Sequence, residues 1–324
     1  MSQDRSIRRI CNSCYGFAAS DITQMRRHRN WQTIMTVQKV AVVGAGLMGH
    51  GIAQIIAQNA QFSVNLVDVE QRYLERGMTM IRDSLERFAA RAQVNREDIP
   101  RILGRIKPTT DLAQAVSEAE FVIEAVPESE KLKLDAFRSV DELAPADAYL
   151  ASNTSSISIT LLASATRRPE KVCGMHFFNP PQLMKLVEII RGERTSDETL
   201  QVSADLARRM GKEPVIVKKD TPGFIVNRVL MPALNEATFL VEEGVADVSE
   251  IDKAIKLGLN WPMGPLELLD YIGIDTSLAI GEVLSRETGD PKFRPSQLLR
   301  RMVRAGLLGR KAGKGFHSWE RQRT

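Results

Sequence analysis

The sequence predicts an α/β fold, a mostly parallel sheet wrapped by crossover helices, followed by an all-helical C-terminal unit. Three observations predict it. Short apolar runs alternate with longer amphipathic stretches from Lys39 to Val217, and a glycine-rich turn follows the first of them. The alternation stops at Asp220-Thr221-Pro222-Gly223, beyond which only helical periodicity remains. With 324 residues, 43% hydrophobic and 26% charged, the chain can bury a sizeable core and is neither disordered, collagenous nor disulfide-stapled in composition.

The spacing predicts strands at Val40–Val43, Ser63–Val67, Phe121–Glu124, Ala148–Ala151, Val172–Met175, Leu186–Ile190 and Pro214–Val217. Strands covered on both faces read as unbroken apolar runs, and these mostly do. Helices are predicted between them at Leu47–Asn59, Glu70–Ala92, Glu130–Leu143, Ile157–Ala163 and Asp197–Met210. The helical unit is predicted at Val226–Glu243, Val248–Lys256, Pro265–Leu284 and Ser296–Ala305. Within it Phe224-Ile225-Val226, Val229-Leu230-Met231 and Leu234 are too apolar for a solvated helix, which places them at a domain or subunit interface and favours a homodimer.

The formal net charge of +4 arises entirely in residues 1–34, which carry six arginines against two aspartates. The rest of the chain is neutral and has no basic face for nucleic acid. No apolar run approaches the ~18 residues of a membrane span. The three cysteines cannot form a disulfide framework and point to a reducing compartment, and the Cys11–Cys14 pair lacks a second pair at zinc spacing, so no metal is expected. Residues 1–34 read as a disordered extension. Their Arg-rich, acid-poor composition fits a transit peptide, an upstream start or a simple tail, and weak amphipathicity favours the last two. The expected compartment is therefore the cytoplasm, or the mitochondrial matrix if the leader is a transit peptide.

Gly44-Ala45-Gly46-Leu47-Met48-Gly49 is a G-x-G-x-x-G between a buried strand and a helix, the context that gives this string its meaning. Gly44 permits the tight turn, Gly46 lets a pyrophosphate approach the backbone, Gly49 lets helix and sheet pack, and the Leu47 and Met48 amides face the anion. Asp68 ends the next strand, where a carboxylate accepts the ribose hydroxyls and selects NAD over NADP; its alternative is to cap the following helix. Arg72 leaves some NADP tolerance open. Residues 35–219 thus read as an NAD-binding domain of Rossmann type and 220–324 as a helical dimerisation and substrate domain.

Hydride transfer from an alcohol needs a proton acceptor, and imidazole is suited to it. Of His28, His50, His176 and His317, only His176 lies at a strand end on the ligand-binding edge of the sheet. Glu188 interrupts the apolar run Leu186–Ile190, so it needs a partner. A hairpin return after Asn179-Pro180-Pro181 brings it toward His176, where it would orient the ring; an ion pair with Lys185 or Arg191 is the alternative. Ser152-Asn153-Thr154-Ser155-Ser156 either caps the next helix or meets substrate and nicotinamide.

These motifs resemble the short-chain 3-hydroxyacyl-CoA dehydrogenases, and among them the bacterial 3-hydroxybutyryl-CoA dehydrogenases. The likeness rests on the glycine turn with Gly51-Ile52-Ala53-Gln54, on Ala151–Ser156, His176–Pro181, Leu186–Glu188, Asp220–Arg228, Pro262–Pro265 and Gly309–Phe316, in order from Lys39 to Phe316. It implies interconversion of (3S)-hydroxyacyl-CoA and NAD with 3-oxoacyl-CoA and NADH, in fatty acid metabolism and on a homodimer. It implies His176 as catalytic base, Glu188 as its partner, and Ser155 and Asn227 on the substrate. It further implies nicotinamide-side contacts from Glu128, Lys133, Ser155, Asn179 and Lys311, and CoA contacts from Ser84 and Arg91, the last standing where lysine is usual. Without the resemblance, Lys133 and Lys311 read as solvated charges. His50 departs from the family's small residue. Two other readings compete: a dehydrogenase of a free hydroxy or sugar acid on the same fold, and a non-enzymatic dinucleotide-binding protein.

Overall fold

The computed structural model describes residues 37–319. The Arg-rich extension, with Cys11, Cys14 and His28, lies outside the described residues. Eight strands form one sheet in the order β3-β2-β1-β4-β5-β6-β7-β8. They are β1 (Lys39–Val43), β2 (Ser63–Val67), β3 (Ile106–Thr109), β4 (Phe121–Glu124), β5 (Tyr149–Ser152), β6 (Val172–Phe177), β7 (Leu186–Ile190) and β8 (Glu213–Val217). All neighbours pair in parallel except β6 and β7, which are antiparallel.

Successive residues of a strand face opposite sides. Val40 and Val42 of β1 therefore join a core with Ile52, Leu74 and Ile81, while Ala41 and Val43 join another with Phe137, Val140 and Leu162. The covering helices are α1 (Gly49–Ile55), α2 (Gln71–Ala90), α3 (Ile99–Leu103), α4 (Leu112–Val116), α5 (Glu130–Leu143), α6 (Ile159–Ser164) and α7 (Asp197–Arg209). Beyond β8 come α8 (Val226–Glu242), α9 (Val248–Leu259), α10 (Pro265–Ile272), α11 (Ile274–Thr288) and α12 (Gln297–Arg304), around a third core that includes Met231, Leu266, Leu269 and Leu284. No helix among the described residues is long and apolar enough to cross a membrane.

Several expectations need correction. Strand β3 and helices α3 and α4 were not foreseen, because β3 is an edge strand with one buried residue, Ile106, and the helices span barely one turn. The helix expected at Pro265–Leu284 is two, broken at Gly273, whose φ of 103° is closed to other residues. The helix expected from Leu47 starts at Gly49 and ends in a π-turn at Ile56–Ala60. Strand β6 continues through His176 to Phe177 rather than stopping before it.

Candidate active site

The glycine turn is built by close approach. A Cβ on Gly44, whose φ is 105°, would lie 2.7 Å from the Ala125 carbonyl oxygen, and one on Gly49 would lie 1.8 Å from that of Gly44. Around Gly46 there is no heavy atom within 4 Å of a Cβ position, so its face is open to a ligand. Here β1 hands the chain to α1 with free amides at the positive helix end, which fits a dinucleotide pyrophosphate. Asp68 does not cap α2. Its carboxylate accepts from the Ala45 amide at 2.7 Å and the Val69 amide at 2.7 Å, tying the end of β2 to the glycine turn. Arg72 is engaged by Glu70 and Tyr73. His50 is buried, which pushes its ring below the ordinary imidazole range, and the neutral ring donates from Nδ1 to the Gly46 carbonyl at 2.8 Å.

The antiparallel register sets His176 directly opposite Glu188. Their Nδ1 and Oε2 atoms are 2.7 Å apart, and Glu188 is 0% exposed. The other carboxylate oxygen, Oε1, accepts the amides of Ile225 at 2.9 Å and Val226 at 3.1 Å, at the N-terminus of α8. The carboxylate is thus solvated by backbone and helix dipole. It makes Nδ1 the donor and leaves Nε2 of His176 as a free acceptor. Neither Lys185 nor Arg191 pairs with Glu188; Arg191 pairs with Asp197.

The imidazole is boxed by Phe178, with centroids 4.5 Å apart, and by Phe224, at 5.6 Å. Phe224 has a φ of 51°, a left-handed conformation costly for an aromatic residue and of the kind that clusters at functional sites. The same turn carries Asn227, buried in the first turn of α8.

The segment after β5 is anchored by a carboxylate. Oε1 of Glu128 accepts the Thr154 hydroxyl (2.7 Å), the Ser155 amide (2.9 Å) and hydroxyl (3.2 Å), and the Ser156 amide (3.1 Å) and hydroxyl (3.0 Å). Burial pushes the Glu128 carboxyl up, but Lys133 and these donors outweigh it and hold it below the usual range. The reading of Lys133 as a solvated charge is overturned. It is 1% exposed, with Nζ 2.7 Å from Glu124 and 3.5 Å from Glu128. Burial dominates at Glu124 and raises its carboxyl despite Lys133, the Ser152 hydroxyl and the Val126 amide. Asn153 accepts the Phe177 amide at 2.9 Å, joining this segment to the His176 strand.

Glu128, Lys133 and the serines therefore form one network and His176 with Glu188 another, which reaches the first turn of α8 where Asn227 lies; Asn153 ties the serine segment to the His176 strand. Asn179 is exposed, two residues beyond β6. Ser84 is buried on α2 and Arg91 is exposed at its end, and neither hydrogen-bonds to these networks. Lys311, in the helical unit, pairs with Asp275 at 2.6 Å. Sequence reasoning missed Glu124, and offered Ser152 only as part of the segment that caps the next helix or meets substrate. Glu124 gave a signal like that of Glu188, an acid in an otherwise apolar strand, though at its end rather than its middle, while the Ile225 and Val226 amides have no side-chain signature.

Residues 39–221 match the family model described as 3-hydroxyacyl-CoA dehydrogenase, NAD binding domain, and residues 223–319 that described as 3-hydroxyacyl-CoA dehydrogenase, C-terminal domain. A probable 3-hydroxybutyryl-CoA dehydrogenase of Deinococcus radiodurans is 50% identical over 282 residues, 87% of this chain and 100% of that one. A 3-hydroxybutyryl-CoA dehydrogenase of Bradyrhizobium diazoefficiens is 45% identical over 283 residues, 87% of this chain and 96% of its own. The crystal structure of (S)-3-hydroxybutyryl-CoA dehydrogenase PaaH1 from Ralstonia eutropha superposes with a TM-score of 0.84 at 44% identity, covering 88% of this chain and 100% of that one.

Proposed function

Since the chain belongs to the 3-hydroxyacyl-CoA dehydrogenase family, an NAD-binding enzyme family, we propose that it interconverts a short (3S)-3-hydroxyacyl-CoA, such as 3-hydroxybutyryl-CoA, and its 3-oxoacyl-CoA. The 2.7 Å contact between His176 Nδ1 and the buried Glu188 carboxylate carries the reading.

NAD, held by Gly44–Gly49 and Asp68, supplies the hydride acceptor. In oxidation, Nε2 of His176 takes the C3 hydroxyl proton as hydride leaves C3, and Glu188 stabilises the imidazolium across Nδ1. In reduction, the same Nε2–H returns the proton to the forming alkoxide. Ser155 and Asn227 hold the reacting oxygen, and Glu128 with Lys133 fixes the serine segment. Asn179 and Lys311 approach the nicotinamide side, and Ser84 and Arg91 the CoA moiety. Residues 35–219 form the cofactor domain and 220–324 the helical domain, which pairs with a second copy; exposed Val229 (72%), Leu257 (76%) and Leu259 (61%) support that contact. The enzyme works in the cytoplasm.

The test is reduction of acetoacetyl-CoA against free acetoacetate, followed by NADH absorbance. The thioester is expected to be favoured by roughly 10²-fold or more in kcat/KM, because remote binding energy of CoA serves the reaction. Equal efficiency with the free acid would favour the hydroxy-acid reading, and no turnover of either the non-enzymatic one.

A further inference from the structure

Lys212 is a buried ammonium for which the chemistry above has no task. It follows the left-handed Gly211 at the end of α7 and is 5% exposed. The contrast with Lys133 is direct: Lys133 has two carboxylates, whereas among the described residues Lys212 donates only to the main-chain carbonyls of Pro181 and Met184, the latter at 2.8 Å. Burial alone pushes it down to about 8. An apolar side chain of equal length would fill the same space without that desolvation, so what the ammonium adds is its grip on those carbonyls.

The gripped segment is residues 178–185, the connection between the His176 strand and the Glu188 strand. It is held from its other side as well. Gln182 donates to Gln54 of α1 at 3.1 Å, and a Cβ on Gly51 would stand 2.9 Å from the Gln182 amide, so the bare glycine makes that approach possible. Leu183 and Met184 amides both donate to the Pro180 carbonyl at 3.0 Å, closing the turn between the two anchors. The connection is thus clamped between the helix that begins at the glycine turn and the lysine at the head of β8.

We propose that Lys212 is a positioning residue that, through the Pro181 and Met184 carbonyls, holds the connection between the two catalytic strands against the dinucleotide helix and so sets Asn179 for the cofactor. The inference rests on the function proposed above in calling the cofactor NAD(H) and in setting Asn179 beside it. Its readout is NADH binding without acyl substrate, measured by fluorescence on the full chain, so a failure of the proposed reaction leaves wild-type NADH binding intact and is told apart.

Lys212→Met is expected to raise the NADH Kd and KM roughly tenfold while kcat changes less than about threefold, the pattern of lost uniform binding. Lys212→Arg, which keeps donors for both carbonyls, is expected within about threefold of wild type. Gln182→Ala loosens the same connection from α1 and is expected to weaken NADH similarly, with a double variant less than additive. If Lys212→Met does not fold, Gln182→Ala and Lys212→Arg carry the test. Unchanged NADH affinity in folded Lys212→Met or in Gln182→Ala, full additivity, or a fall in kcat larger than the loss of binding would overturn the proposal.

Discussion

Replacing Glu188 by glutamine keeps volume and removes one charge, 2.7 Å from an imidazole, in a fully buried site. The amide has two orientations, and both fail. With its oxygen on His176, the NH2 group meets the Ile225 and Val226 amides donor to donor, leaving two buried N–H groups unpaired at about 1–3 kcal/mol each. With its oxygen on those amides, the NH2 group faces Nδ1 and forces the tautomer that carries its proton on Nε2, where no base then exists. The lost attraction for the imidazolium is about 4 kcal/mol at ~4 Å and an effective dielectric near 20. At about 1.4 kcal/mol per decade this is roughly a 10³-fold fall in kcat. The assay is steady-state oxidation of 3-hydroxybutyryl-CoA, with NADH affinity measured separately by fluorescence. NADH affinity should stay within about threefold of wild type, because no contact with the glycine turn is altered. A kcat within tenfold of wild type, or a fall matched by lost NADH binding, would refute the reasoning.

Further outcomes are expected. Asp68→Asn should weaken NADH by about tenfold and narrow the preference over NADPH, since the carboxylate that repels a 2′-phosphate is gone; direct titration of both nucleotides checks it. Glu128 has a lowered carboxyl in the fold, so its contribution to stability is complete above the ordinary carboxylate range and is lost as pH falls through the lowered value. Urea midpoints of wild type and Glu128→Gln should therefore differ most near neutrality and converge in acid. Lys212 titrates near 8 in the fold and near 10.5 unfolded, so the folded chain binds fewer protons between those values and gains stability there. Relative to Lys212→Met, wild-type stability should rise across that window, by at most about 3.4 kcal/mol at 1.36 kcal/mol per unit. A flat difference would count against it.

The legibility of the fold in the sequence follows burial. Strands β1, β4, β5 and β6 are buried almost throughout and stand out as apolar runs. Strand β3 hides because Lys107 and Pro108 face water, as edge strands permit. Glu188 was readable because an acid inside Leu-Val-Glu-Ile-Ile demands a partner, and the hairpin supplied one. Lys133 was not, because its burial is produced by carboxylates from Glu124 and Glu128, brought to it by the fold. The hydrogen bonds from Ile225 and Val226 were out of reach altogether, since every non-proline residue carries the same backbone donor.

The carboxylate of Glu188 sits on a seam. The sheet contributes the acid, and the first turn of α8 contributes the groups that replace water around one of its oxygens. A fragment ending at Lys219 would keep both His176 and Glu188 and lose the two amides that receive one oxygen of the acid. The residues that do the chemistry could then be present in full while the carboxylate that orients the ring had lost half of its hold.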